Sequence, residues 1–150
     1  MFEGQLLAIH LHGPKGEDLR PVEMTHAEPG HGLEGDRYRR NGSAGRPDQE
    51  VTLIEVEALE ALARECAIKI EPLKARRNLL TRGVPLNHLV GRKFTIGDVV
   101  LRGLRLCEPC DHLEGLTVKG IKDGLHHRGG LRAEVVQAGT LRPGAVIRPR

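Results

Sequence analysis

Glycine and proline interrupt this chain so often that long regular elements have little room. There are 19 glycines and 9 prolines in 150 residues, and the apolar runs between them are strand-length. Glycine costs about 1 kcal/mol per residue in a helix interior relative to alanine, so a helical bundle is disfavoured. Aromatic residues make up only 2% of the chain, which leaves Leu, Val, Ile and Ala to fill the core. The length suits one domain with a sizeable core.

The runs place the elements. Phe2–Leu11 reads as a first strand, with a turn at Gly13–Gly16. Pro21–Ala27 reads as a second strand, and Glu28–Asp36 as a turn-rich run. No apolar period survives from Arg37 to Gln49, so that stretch is expected to be a long loop. Glu50–Ile54 is a short strand. Glu55–Glu65 is the clearest helix, because Val56, Leu59, Leu62 and Ala63 recur at helical spacing. Cys66 follows that apolar face and is expected to be buried as a small hydrophobe. Pro72 breaks the helical pattern, and Ala75–Leu80 reads as a strand. Pro85–Leu89 reads as a short turn or helical piece. Lys93–Ile96 and Val99–Leu106 form a hairpin across Gly97-Asp98. Leu113–Gly120 has no regular pattern. Gly129–Gly139 alternates as a strand, and Leu141–Ile147 turns into a last one. The fold class expected is mainly β with α insertions, a single barrel-like domain.

Charge and compartment narrow the partners. The net charge is +3, with basic groups at Arg37, Arg39 and Arg40 and at Arg76, Arg77 and Arg82. One Tyr and two Phe cannot build the usual stacking platform, so nucleic acid is not the expected partner. Met1–His10 lacks a basic start and an apolar run, and no segment has the length of a membrane helix. Three cysteines, an odd number, do not make a secreted disulfide framework. The expected compartment is the cytoplasm.

The chemistry concentrates between Arg76 and Asp111. Cys107-Glu108-Pro109-Cys110 suits a redox disulfide, a zinc site completed by His112, His126 and His127, a single reactive thiolate, or a structural pair. The residues alone leave these four open. His31, His112, His126 and His127 lack the helical spacing of a metal-binding pair and are not read as one. Arginine offers phosphate a planar fork, and asparagine offers a heterocycle both a donor and an acceptor. On a strand, Arg76 and Asn78 would share a face, with Arg77 turned away.

The order of these motifs resembles the MOSC domain family, named for the C-terminal part of molybdenum-cofactor sulfurases. Within it the chain is similar to small standalone bacterial members. The likeness runs through Gly32-Leu33-Glu34-Gly35-Asp36, Val51–Ile54 with Glu57, Arg76-Arg77-Asn78-Leu79, Gly83, Leu89-Val90-Gly91, Phe94-x-Ile96-Gly97-Asp98 and Cys110. It implies a MOSC-type β-barrel that binds the molybdenum cofactor or handles sulfur for it. Cys110 matches the family's cysteine, a molybdenum ligand in relatives that reduce N-hydroxylated compounds and a proposed persulfide carrier in sulfurases. Arg76 and Asn78 match cofactor contacts, and Thr52 matches a contact on the preceding strand.

Two functions follow from the resemblance. One is a molybdenum-cofactor-dependent reductase of small N-hydroxylated substrates, fed by an electron-donor protein. The other is a non-redox carrier of sulfur or cofactor, served by a sulfur-donor protein. These 150 residues show no match to the relatives' N-terminal β-barrel extension, so a partner or a homodimer is expected to complete the pocket. They show none to an aminotransferase-like sulfurase domain either, so pyridoxal phosphate is not expected. Cys110 is expected beside a cleft shared with Arg76 and Asn78, and Cys107 is not expected to be the essential thiol.

Overall fold

The computed structural model describes residues 1–39, 46–109 and 111–150, the side chains of Asp111, His112 and Leu116 excepted. The first half contains β1 (Gly4–Leu11), β2 (Arg20–Val22), β3 (Thr25–Glu28), β4 (Gly32–Leu33), β5 (Val51–Glu55) and α1 (Val56–Cys66). The second contains β6 (Leu79–Arg82), β7 (Lys93–Ile96), β8 (Val99–Leu106), α2 (Asp111–Leu116), α3 (Ile121–Gly124), β9 (Leu131–Gln137), β10 (Gly139–Leu141) and β11 (Val146–Pro149).

Among the described residues, seven strands close a barrel in the order β11-β7-β8-β9-β5-β6-β1. The ends meet where Gly4 and Gln5 pair with Ile147 and Val146. β2 lies beside the far end of β1, and β10, β3 and β4 form a separate small sheet. Closure removes the free sheet edges that would invite association. β5 and β6 run parallel, with Leu53 opposite Leu79. Parallel neighbours need a crossover, and α1 lies in it.

Alternation along β5 and β6 sorts the core into two layers. Leu53 and Leu79 join the barrel interior with Leu6, Ile9, Phe94 and Leu101. Ile54 and Leu80 point the other way, into a cluster with Leu59, Leu62, Ile121 and Leu125. Strands covered on both faces read as nearly continuous apolar runs, as Val51–Ile54 does but for Thr52. Burying one such leucine contributes about 1.5–3 kcal/mol.

The hairpin forms as expected, with Ile96 opposite Val99. Gly97 takes φ +57°, as the favoured two-residue turn requires. Four expectations are revised. Pro21–Ala27 is two strands, β2 and β3. Leu113–Gly120 is not wholly irregular, because α2 runs through Leu116. Ala75–Leu80 is not one strand. Pro72 opens a 3₁₀ turn over Pro72–Ala75, Arg76 takes a left-handed conformation at φ 61°, and β6 starts only at Leu79. Cys66 is exposed. It ends α1, and the left-handed Ala67 (φ 56°) turns the chain away. A side chain on Gly124 would strike Leu62, so its bare Cα lets α3 approach the end of α1. Of the long loop, Pro47–Gln49 forms a 3₁₀ turn, and residues 40–45 lie outside the described residues.

Two glycines place the Cys107 segment. A side chain on Gly129 would strike the Cys107 carbonyl and Pro109, and one on Gly130 (φ +116°) would strike the Leu53 carbonyl. Their absence lets the turn before β9 wedge between β5 and the end of β8. There the Cys107 N–H donates to the Gly130 carbonyl at 2.7 Å.

Candidate functional site

A cavity of about 250 Å³ opens at one end of the barrel. Its wall is built from the ends of several elements. Thr52 on β5 and Arg76, Arg77 and Asn78 before β6 line it, with His12 and Tyr38 on another side. Gln49, Arg132, Cys107 and Leu113 complete it.

Asn78 ties the wall together. Its Oδ1 accepts the Thr52 N–H (3.0 Å) and the Thr52 hydroxyl (3.2 Å). Its Nδ2 donates to the His10 carbonyl (3.0 Å) and to Asp36 Oδ1 (3.1 Å). That uses two acceptor and two donor positions, the whole capacity of an amide. The backbone N–H of Asn78 donates to Thr52 Oγ1 at 3.0 Å and its carbonyl accepts from the His10 N–H at 2.6 Å. Asn78 is 2% exposed, so each of these bonds replaces one that water cannot supply.

Asp36 is the second hub, its side chain 1% exposed. Oδ1 accepts from the His12 backbone N–H (2.6 Å) as well as from Asn78, and Oδ2 from the Tyr38 N–H (3.1 Å). His12 Nδ1 lies 3.0 Å from Oδ1. A carboxylate there orients the imidazole with its proton on Nδ1, leaving Nε2 as the open nitrogen. The Tyr38 ring meets His12 edge-on at 4.9 Å. Beneath them, burial holds His10 below its ordinary value of 6.5, partly offset by a hydrogen bond at the Arg77 backbone.

The arginines are held at different depths. Arg77 is buried, its Nε donating to the Gly129 carbonyl (2.8 Å) and its Nη2 to the Cys107 carbonyl (3.1 Å). Arg76 is half-buried, and its Nη1 donates to the Glu17 carbonyl at 2.8 Å. Lys74 reaches Asp18 beside it at 2.7 Å. Arg132 donates from Nη1 to the Asp48 carbonyl at 3.0 Å. Its Nε is buried and has no acceptor among the described residues. Asp48 is itself pushed below the usual carboxylate range, chiefly by its hydrogen bond from Arg105.

The MOSC domain profile matches residues 38–148. The chain belongs to the MOSC domain family.

Solved structures agree on the MOSC fold. The YuaD protein from Bacillus subtilis superposes with a TM-score of 0.81 at 14% identity, over 98% of this chain and 97% of that one. YiiM from Geobacillus stearothermophilus gives 0.76 at 15% identity, over 98% of this chain and 75% of that one. YiiM from Escherichia coli gives 0.70 at 19% identity, over 97% and 69%. A search of the curated proteins by sequence finds no match.

Of the expected site residues, Arg76, Asn78 and Thr52 line one cavity. The reason is not strand periodicity. Arg76 arrives from a left-handed turn, and Arg77 also lines the cavity rather than turning away. Cys110 lies outside the described residues. Cys107 before it and Leu113 after it both line the cavity, and the Cys107 thiol is buried at 2% exposure. Sequence reasoning missed His12, Tyr38 and Arg132. Asp36 stood inside the quoted Gly32–Asp36 run, but nothing local marks His12, one residue past β1, as its partner.

Proposed function

We propose that this MOSC domain binds the molybdenum cofactor in the cavity and reduces N-hydroxylated compounds with electrons from a partner protein. The observation that carries this is the cationic wall that lines one cavity with Cys107. Three guanidinium groups, Arg76, Arg77 and Arg132, line one cavity, and among the described residues no carboxylate lines it. Among the described residues the buried Nε of Arg132 lacks an acceptor, so this guanidinium keeps an unmet donor. This donor set fits the phosphate and pterin of the cofactor.

In this reading Cys110 is the metal ligand and Arg76 and Arg132 hold the anionic end. Thr52 and Asn78 form the rigid wall behind the pterin, their side chains already bonded to one another. When bound, the cofactor supplies a two-electron redox centre. Reducing R–NH–OH to R–NH₂ and water consumes two electrons and two protons. In this reading His12, its Nδ1–H held by Asp36, takes up a proton from solvent on Nε2 and passes it to the departing hydroxyl. A carrier of sulfur or cofactor has no such need, and this favours the reductase over the carrier. In this reading the electrons come from a separate donor protein. The cytoplasm is the proposed location; among the described residues no helix is long and apolar enough to cross a membrane.

The test is reduction of an amidoxime by cofactor-loaded protein with a reduced dye as donor. His12→Gln is expected to lower turnover by about 10²-fold or more while leaving molybdenum content unchanged. Undiminished turnover in that variant, or none in the loaded parent protein, contradicts the reading.

A further inference from the structure

His126 and His127 are sequence neighbours whose rings stand 3.7 Å apart, tilted by 40°. Adjacent residues on a helix or strand do not face each other. Bringing these two together takes an unusual backbone, and His127 supplies it with a left-handed φ of 62°. Such a conformation is uncommon for a residue other than glycine and persists where its surroundings hold it.

Here the surroundings do so. The His127 N–H donates to Glu108 Oε1 at 2.8 Å, and its carbonyl accepts from Asn87 Nδ2 at 2.7 Å. With Oε1 spent on the backbone, Glu108 presents Oε2 to both rings. That oxygen lies 2.7 Å from His127 Nδ1 and 4.0 Å from His126 Nδ1. One ligand atom from each of the three residues lies within 4.8 Å of the others.

We propose that Glu108, His126 and His127 form a surface site for a divalent transition metal ion of the zinc class, with water in the open positions. Two imidazoles and a carboxylate are a borderline donor set suited to such ions. At Zn–N distances near 2.0–2.1 Å, neighbouring ligand atoms of a tetrahedral site stand about 3.3 Å apart. The observed 2.7 and 4.0 Å bracket that spacing, so small side-chain rotations suffice. On binding, the metal replaces the hydrogen bond between His127 and Glu108. Nearby positive charge does not oppose it, because Arg128 is paired with both oxygens of Glu65 at 2.9 and 3.3 Å. The side chains are exposed, 67% for each histidine and 40% for Glu108, so an ion reaches them from solvent.

The site is separate from the proposed cofactor grip but mechanically joined to it. Glu108 follows Cys107, whose carbonyl is held by Arg77, and Arg77 also holds Gly129, two residues past His127. A bound ion clamps the two loops that Arg77 bridges. None of the three ligands lines the cavity, so the site stands or falls independently of the cofactor.

Titration of the full chain with Co²⁺ and Zn²⁺, followed by absorption and calorimetry, tests it. One equivalent per chain is expected, without a thiolate charge-transfer band in the cobalt spectrum, and unchanged in Cys110→Ser. His126→Ala, His127→Asn and Glu108→Gln are each expected to weaken binding by about tenfold or more. His127→Asn keeps a residue that tolerates the left-handed backbone, and Glu108→Gln keeps an acceptor for the His127 N–H. Matching circular dichroism of all the chains shows that they fold. Absence of binding, a thiolate band, or undiminished affinity in the histidine variants overturns the proposal.

Discussion

The inner wall of the cavity and the exposed loops that carry Glu108, His126 and His127 are built on opposite terms. Around Asn78, Thr52 and Asp36 the polar groups are buried and bonded to each other, and the side-chain capacity of Asn78 is fully spent. Outside the cavity, Glu108, His126 and His127 are exposed and have capacity to spare. The arginines grade between them, from buried Arg77 to half-buried Arg76. The contrast teaches that a polar residue lining a site need not touch what the site binds. Asn78 shapes the cavity, while less committed donors such as Arg76 and Arg132 are left to meet a ligand.

The largest effect expected from this contrast lies at Asn78. Asn78→Asp keeps the shape but sets a second carboxylate oxygen where Nδ2 now donates to Asp36 at 3.1 Å. It should cost roughly 3–5 kcal/mol by denaturant unfolding, the scale of breaking a buried polar network. A loss near zero would mean that the network is not rigid.

The two described thiols give a smaller effect. Cys107→Ser buries a hydroxyl in place of an inert sulfur and should cost about 1–3 kcal/mol. Cys66→Ser, at an exposed helix end, should stay within about 0.5 kcal/mol. Equal costs would erase the distinction between wall and surface for these residues.

The smallest effect is in the pH dependence of stability. Burial lowers the proton affinity of His10 in the fold, so as pH falls through 6.5 the unfolded chain takes up the proton first. The contribution of neutral His10 is therefore full above that pH and declines below it. Burial raises Glu50 and Glu55 above the usual carboxylate range, which acts in the opposite sense as pH falls toward 4.5. The comparison that isolates His10 is the stability difference between the parent chain and His10→Gln at pH 7.5 and at about 5.5. The parent should lose more on acidification; equal losses would remove His10 from the account.

The barrel was largely legible because its strands alternate or run apolar between Gly and Pro, and one such signal, Gly97-Asp98, fixed a hairpin. Expected bounds failed where local chemistry outweighed the pattern. Pro72 seeds a 3₁₀ turn that displaces the start of β6, and a left-handed Ala67 ends α1 so that Cys66 faces solvent. Site residues near the family motifs were found, but their partners were not. His12 meets Asp36 across 24 positions and Asn78 meets His10 across 68. Such contacts arise where distant segments are brought side by side by strand pairing and by the turn after β4, which no local spacing encodes. His126 and His127 were set aside for lacking helical spacing, and the left-handed backbone that joins their rings has no signature at a histidine.

The central claim is that the cavity takes the molybdenum cofactor with Cys110 as the metal ligand. Its most direct test is the molybdenum content of the full chain purified from cells able to make the cofactor, beside Cys110→Ser and Cys107→Ser prepared alike. The account predicts near-stoichiometric molybdenum in the parent, most of it retained by Cys107→Ser, and almost none in Cys110→Ser. A metal-free parent chain, or Cys110→Ser loaded as fully as the parent, would contradict it.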